Sequence, residues 1–139
     1  MRKPLETARR WLAQAEHSLG VCHLLYENMV WSEACFSAEQ TAQVAFKASL
    51  YLKGRRFVNI HSVRQLAIEC AIEDVEFQGF ADYGSILDKY YLSTRYPDTL
   101  PEPAIPFESF TESEARQAHA FAKEIVELVR AKVTLEPAS

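Results

Sequence analysis

Apolar residues recur at intervals of three and four through most of this chain, and runs that alternate with period two are scarce, so the pattern predicts helices and no sheet. A first helix is expected from about Leu5 to Asn28, entered behind Pro4, with Leu12, Ala15, Leu19, Cys22 and Tyr26 on its inner stripe. The second is expected to begin near Ser32, read as its N-cap, and to run to about Lys53, where Gly54 supplies a left-handed C-terminal position. Its stripe of Ala34, Ala38, Ala42 and Ala45 lets neighbouring helices come close, so it should be the central helix.

A third helix starts at His61 or Ser62 and carries Val63, Leu66, Ala67 and Cys70 inward; a turn containing Gly79 follows over 77–81. The next helix is expected over 82–93, with Ile86, Leu87, Tyr90 and Tyr91 on the apolar side and Asp88 and Lys89 facing water. The stretch RYPDTLPEPAIPFESF then holds four of the six prolines, which excludes regular helix and central strand and predicts a stiff, extended loop. Thr111 and Glu114 form a capping-box pair that opens the last helix, which continues through Ala115, Ala118, Phe121, Ala122, Ile125, Leu128 and Val129. With short connections elsewhere, the expectation is an all-α, up-and-down antiparallel bundle of four to five helices over 1–135, followed by a frayed tail at 136–139.

Composition narrows the chemistry. A chain of 139 residues with 48% apolar and 24% charged side chains fits one hydrophobic core and leaves no room for a second catalytic domain. The formal net charge of -4 provides no global positive field for a long polyanion, so any nucleic-acid contact must be local. Cys22, Cys35 and Cys70 lack ligand spacing and sit in apolar helical contexts, which suits reduced thiols in a cytoplasmic protein. No stretch reads as a secretory h-region or as a membrane span.

Three constellations stand out. The first is the positive junction between helices two and three: Lys47, Lys53, Arg55, Arg56, His61 and Arg64. Cations near a helix C-terminus are favoured by the macrodipole without any ligand, but the open N–H groups and the Ser62 hydroxyl at the start of the next helix could also receive phosphate oxygens. Within it, Arg56 and His61 stand in an Arg-x4-His spacing that could pair a phosphate grip with a proton-exchanging imidazole. The second is Arg95, Tyr96 and Asp98 beside Tyr90 and Tyr91, where a guanidinium, stacking rings and a carboxylate converge; the competing reading is a local Arg95–Asp98 pair over packed tyrosines. The third is the polar stripe of Gln40, Gln43 and Lys47 on the central helix, whose buried amides need partners from a facing helix or a ligand. Walker A, GxGxxG, GxSxG and HExxH patterns are absent, and His17, His23 and His119 are isolated, so neither cofactor nor metal is expected.

The segments ARRWLAQAEHSLG, AEQTAQVAFKASLYLKG, NIHSV and LSTRYPDTLPEP, closed by an amphipathic helix, resemble the HEPN domain in order and spacing across nearly the whole chain. The RYPD loop is also similar to that of the C-terminal HEPN domain of sacsin. The resemblance implies a helical bundle that commonly dimerises, is often encoded beside a minimal nucleotidyltransferase, and serves in some branches as a toxin-like ribonuclease of toxin-antitoxin type and in others as a binding module. By position it implies roles for Gln40, Gln43, Lys47, His61, Ser62, Arg95 and Asp98, with Gln43 standing where glutamate is usual. The ribonuclease branches carry a histidine after four to six intervening residues (Arg-x4-6-His), whereas the corresponding positions after Arg95 here hold Leu100, Pro101 and Glu102. The expected function is therefore a non-catalytic, homodimeric nucleotide- or RNA-binding module working with a nucleotidyltransferase partner and no membrane. The alternatives are a metal-independent ribonuclease using Arg56 and His61, and a protein-interaction scaffold.

Overall fold

The computed structural model describes residues 3–135, so the frayed tail expected at 136–139 lies outside the described residues. The described residues form helices α1 (Pro4–Glu27), α2 (Trp31–Leu52), α3 (Val63–Glu73), α4 (Phe80–Asp88), α5 (Tyr90–Ser93, a single turn) and α6 (Glu112–Leu135), with no strand among them. The all-α bundle anticipated from the periodicity is the architecture observed. The long helices α1, α2 and α6 pack against one another, and α3 and α4 form a second layer that joins the first through α2.

The sequence explains the centrality of α2. Its alanines 34, 38, 42 and 45 are fully buried, and 15 of its 22 residues are buried in all, so neighbours surround it almost completely. Phe46 fills the space the alanines leave, meeting Phe77 and Phe80 edge-on at 6.1 and 6.3 Å between ring centroids. The capping box at the start of α6 forms as its spacing predicts: Glu114 N donates to Thr111 Oγ1 at 3.1 Å, and Thr111 N donates to Glu114 Oε1 at 3.0 Å.

Three local expectations are corrected. The chain reverses so tightly after α1, with Met29 in the left-handed region at φ 62°, that α2 begins at Trp31 and Val30 holds the cap position. Ser32 thus falls inside the first turn, fully buried, and its hydroxyl has no hydrogen-bond partner among the described residues. The helix expected over 82–93 starts earlier, at Phe80 behind a left-handed Gly79, and is interrupted at Lys89. The Pro-rich stretch contains two 3-10 turns, Pro97–Thr99 and Pro106–Glu108, because proline at the first position of such a turn loses no needed N–H.

Gly84 sets the distance between α3 and α4. A Cβ there would meet the Arg64 Cα and N at 2.5 Å and the Val63 carbonyl carbon at 2.8 Å, all of them backbone atoms that cannot swing aside. Gly20, within α1, has open space around the same position. Gly84→Ala should therefore cost about 1–3 kcal/mol through overpacking, whereas Gly20→Ala should gain about 0.5–1 kcal/mol from helix propensity; urea denaturation of the two variants checks the opposite signs.

Burial pushes the thiols of Cys22, Cys35 and Cys70 up to about 12. Cys22 Sγ donates to the Ala34 carbonyl at 3.4 Å and Cys70 Sγ to the Phe46 carbonyl at 3.5 Å, so both are packing groups. In the native protein none of the three should react with a thiol-specific dye at neutral pH, and all three should react once denaturant unfolds the bundle.

Candidate functional site

The polar stripe of α2 is organised around a residue that its spacing alone does not single out. Glu39 is fully buried, and its carboxylate accepts from Gln40 Nε2 at 2.8 Å and from Gln43 Nε2 at 2.5 Å. Desolvation raises its pKa above the usual carboxylate range, opposed by the two amide bonds and by the charge of Arg95, while Asp88 adds to the rise. The two glutamines thus find their partner on their own helix.

Two turns further along α2, Lys47 is only 9% exposed. Its ammonium lies 5.9 Å from the centroid of the Trp11 ring on α1, and it makes no hydrogen bond or ion pair among the described residues. Burial lowers its pKa, with the more distant Glu39 carboxylate partly offsetting the effect. A lysine so placed is a cation whose donors are unspent.

The start of α3 is already occupied. Asp88, at the end of α4, accepts from Val63 N at 2.6 Å through Oδ1, and from Ser62 Oγ at 2.7 Å and Arg64 N at 3.2 Å through Oδ2. Ser62 Oγ also accepts from Gln65 N at 3.1 Å as the helix cap. The groups that the sequence offered to a phosphate therefore bind an internal carboxylate, which the close approach at Gly84 brings within reach. Asp88 is half-buried in this role and does not simply face water as expected.

The positive junction divides in the same way. Arg55 pairs with Glu69 at 2.9 Å and Glu73 at 3.2 Å, and Arg64 lies 3.8 Å from Asp82 while donating to Ser85 Oγ at 2.8 Å. Arg55 and Arg56 border a cleft where the first turns of α1 meet the end of α2, with Trp11 and Tyr51 among its walls. Those two rings stand 5.1 Å apart, and the Tyr51 hydroxyl accepts from Val58 N at 3.3 Å, which fixes its orientation. His61 is exposed, one residue outside the α3 cap, and does not border that cleft.

Arg95 presents a third arrangement. Its guanidinium carbon lies 4.2 Å from the Phe36 ring centroid, 4.9 Å from that of Tyr96 and 5.1 Å from that of Tyr91. Nε and Nη2 donate to the Tyr91 carbonyl at 3.0 and 2.7 Å, and Nη1 to the Tyr96 hydroxyl at 3.4 Å. Among the described residues no carboxylate forms an ion pair with it; Asp98 instead borders a shallow hollow of the Pro-rich loop together with Glu102. The structure thus joins Arg95 to the α2 stripe through Phe36 and Glu39, and leaves Arg56 at the far end of that helix. The sequence reading passed over Phe36, Glu39 and Trp11; a carboxylate four residues before Gln43 on an otherwise alanine-lined helix was the available signal.

The family model described as HEPN domain matches residues 8–132. Among solved structures, the crystal structure of TT1696 from Thermus thermophilus is 33% identical, with 90% of this chain and 97% of that chain covered and a TM-score of 0.81. The crystal structure of ST0689, an archaeal HEPN homologue, is 26% identical, with 96% of this chain and 99% of that chain covered and a TM-score of 0.73. No curated protein sequence matches this chain.

Glu39 supplies a pH test of this arrangement. Its folded-state pKa is raised above the ordinary 4.5, so its contribution to stability is fully present below 4.5 and is lost as pH rises through the folded value. Glu39→Gln abolishes that dependence. Measured by urea denaturation at a series of pH values, the stability of the variant relative to the parent should rise as pH increases from 4.5.

Proposed function

This chain belongs to the HEPN domain family, and on that premise we propose that it is a non-catalytic module that binds a nucleotide or a short RNA segment, acting as a homodimer beside a minimal nucleotidyltransferase partner. The observation that carries the reading is Arg95: a guanidinium held against three aromatic rings, with no carboxylate in an ion pair with it among the described residues. Stacking on rings orients the plane of the cation without a direct ionic partner, which suits recognition of a phosphate. Tyr91 and Tyr96 are exposed beside it and offer faces on which a base can stack.

Lys47 on α2 and Arg56, four residues past the end of that helix, are further cations in this reading. Lys47 is buried with its donors unspent, and Arg56 borders the cleft walled by Trp11 and Tyr51, where an aromatic base has ring faces to meet. Glu39 holds Gln40 and Gln43 through hydrogen bonds, so their role in this reading is to position the stripe, while His61 and Ser62 at the start of α3 and Asp98 in the Pro-rich loop are secondary contacts for the same ligand. Binding without cleavage is favoured because Leu100, Pro101 and Glu102 stand after Arg95 at the positions where the ribonuclease branches carry a histidine, so the imidazole of that motif is missing.

Titration of the purified protein with ATP, GTP and short single-stranded RNA tests the proposal. Arg95→Ala should weaken binding by about 10–100-fold, the loss expected for one charge-assisted contact, and Arg95→Lys should recover only part of it because an ammonium lacks the stacking plane. Arg130→Ala, which removes the surface pair with Glu16, should change nothing. RNA incubated with the protein in chelator should stay intact. Absence of binding to all three ligands at about millimolar concentration, where even a weak specific site is occupied, would overturn the reading.

A further inference from the structure

A second surface lies on the α3–α4 layer, away from the α2 stripe. Ala67, Ile68, Ala71 and Ile72 on α3 and Phe77 and Ala81 on the following segment line an apolar groove. Ile72 is 70% exposed and the neighbouring Val75 69% exposed, so two branched aliphatic side chains stand in water at its edge. Gly79 also lines the groove, and open space surrounds the position its Cβ would take. Apolar side chains gathered in one concavity are costly to leave hydrated and mark an interaction site rather than scattered surface.

The charge around the groove identifies its occupant. Residues 63–82 carry five carboxylates, Glu69, Glu73, Asp74, Glu76 and Asp82, against the single Arg64, a net of -4 that equals the formal charge of the entire chain. Three cations reach this region from elsewhere: Arg55 and Lys132 each pair with two carboxylates, and the charge of Lys53 also acts on Asp74. Arg55 lies between Glu69 and Glu73, and Lys132 lies between Asp74, at 3.0 Å, and Glu76. Asp82 is almost fully exposed, and among the described residues its only ion pair is the long one to Arg64. Five carboxylates on the elements that line the groove thus face Arg64, Arg55, Lys132 and Lys53, an excess of one negative charge. A polyanion is repelled from such a surface, and a second copy would set acidic rim against acidic rim if it docked symmetrically through the same face.

We propose that this groove docks a basic amphipathic helix of a partner protein, whose aliphatic face covers Ile68 and Ile72 above the buried Phe77 while lysine or arginine side chains reach the acidic groups of α3 and the segment after it. The helix-in-groove mode suits an apolar channel that runs along α3, and the charge supplies orientation and association rate more than affinity. This inference is independent of the ligand at Arg95.

A labelled synthetic peptide of leucine and lysine, patterned as an amphipathic helix, serves as the probe in fluorescence anisotropy with the whole chain. It should bind, bind more weakly as salt is raised, and lose about tenfold or more affinity against Ile72→Glu, the loss expected for one central apolar anchor. Ile72 is exposed, so this variant should keep the parent's thermal midpoint; Asp82→Asn, which touches no packed atom, should weaken binding and increase its salt tolerance. Equal binding of a peptide with the same composition but scattered leucines would overturn the proposal, as would equal binding of a leucine–glutamate helix. Self-association that Ile72→Glu abolishes, seen by sedimentation, would overturn it as well, since a second copy would then occupy the groove.

Discussion

Because Ala34, Ala38, Ala42 and Ala45 put only methyl groups between α2 and its neighbours, the surrounding helices come so close that water is excluded from most of its circumference, and every polar side chain on it must be satisfied by protein. Glu39 meets that demand with two glutamines one residue and one turn away. Ser49 and Thr41 are buried as well, and Thr41 returns its hydroxyl to the Ser37 carbonyl at 2.7 Å, as a helical threonine can. Two groups are exceptions: the Ser32 hydroxyl, which has no partner among the described residues, and Lys47, whose long aliphatic stem can be buried among these side chains while its ammonium lies over the Trp11 ring. The small-residue stripe that makes α2 central therefore also determines which of its polar groups remain unspent.

The same closeness recurs between α3 and α4, with a different result. Gly84 lets the two backbones approach until Asp88 reaches the first turn of α3 and takes its N–H groups. A carboxylate at that helix terminus stabilises it by roughly 0.3–1 kcal/mol and removes the partial positive charge that an external phosphate would otherwise find. Asp88 also stands near enough to Glu39 to raise the latter's pKa, and Arg95 near enough to lower it. One buried carboxylate thus reports on two neighbouring elements.

Much of the fold was legible from the chain because it rests on short-range patterns: the three-four periodicity, the Thr111–Glu114 capping box and Gly54 past the end of α2 all act within a few residues. The site was less legible for the opposite reason. Asp88 caps a helix that begins 25 residues earlier, Arg55 is neutralised by carboxylates 14 and 18 residues later, and Phe36 meets Arg95 from three helices earlier in the chain. No local spacing encodes such pairings, so a phosphate seat at Ser62 and a positive cluster through Arg55 and Arg64 were reasonable in one dimension and are filled in three. Ser32 failed as a cap on a finer scale. A one-residue difference in where the turn closes moved its hydroxyl from helix entry to interior.

Charge segregation connects the two faces of the molecule. Residues 63–82 account for a net of -4, so the remaining chain is formally neutral, and the cations on α1 and α2 and Arg95 just after α5 act against no overall negative background of their own. At physiological ionic strength fields decay over about 8 Å, which lets the acidic α3–α4 layer and an arginine just after α5 present opposite potentials on one small bundle. A phosphate group approaching from solvent is therefore steered by the local sign it meets rather than by the net charge of the protein. The apolar lining of the acidic groove sharpens the distinction further: an anion gains nothing there, while the aliphatic stems of lysine and arginine can cover Ile72 and Val75 as their charged ends meet the rim.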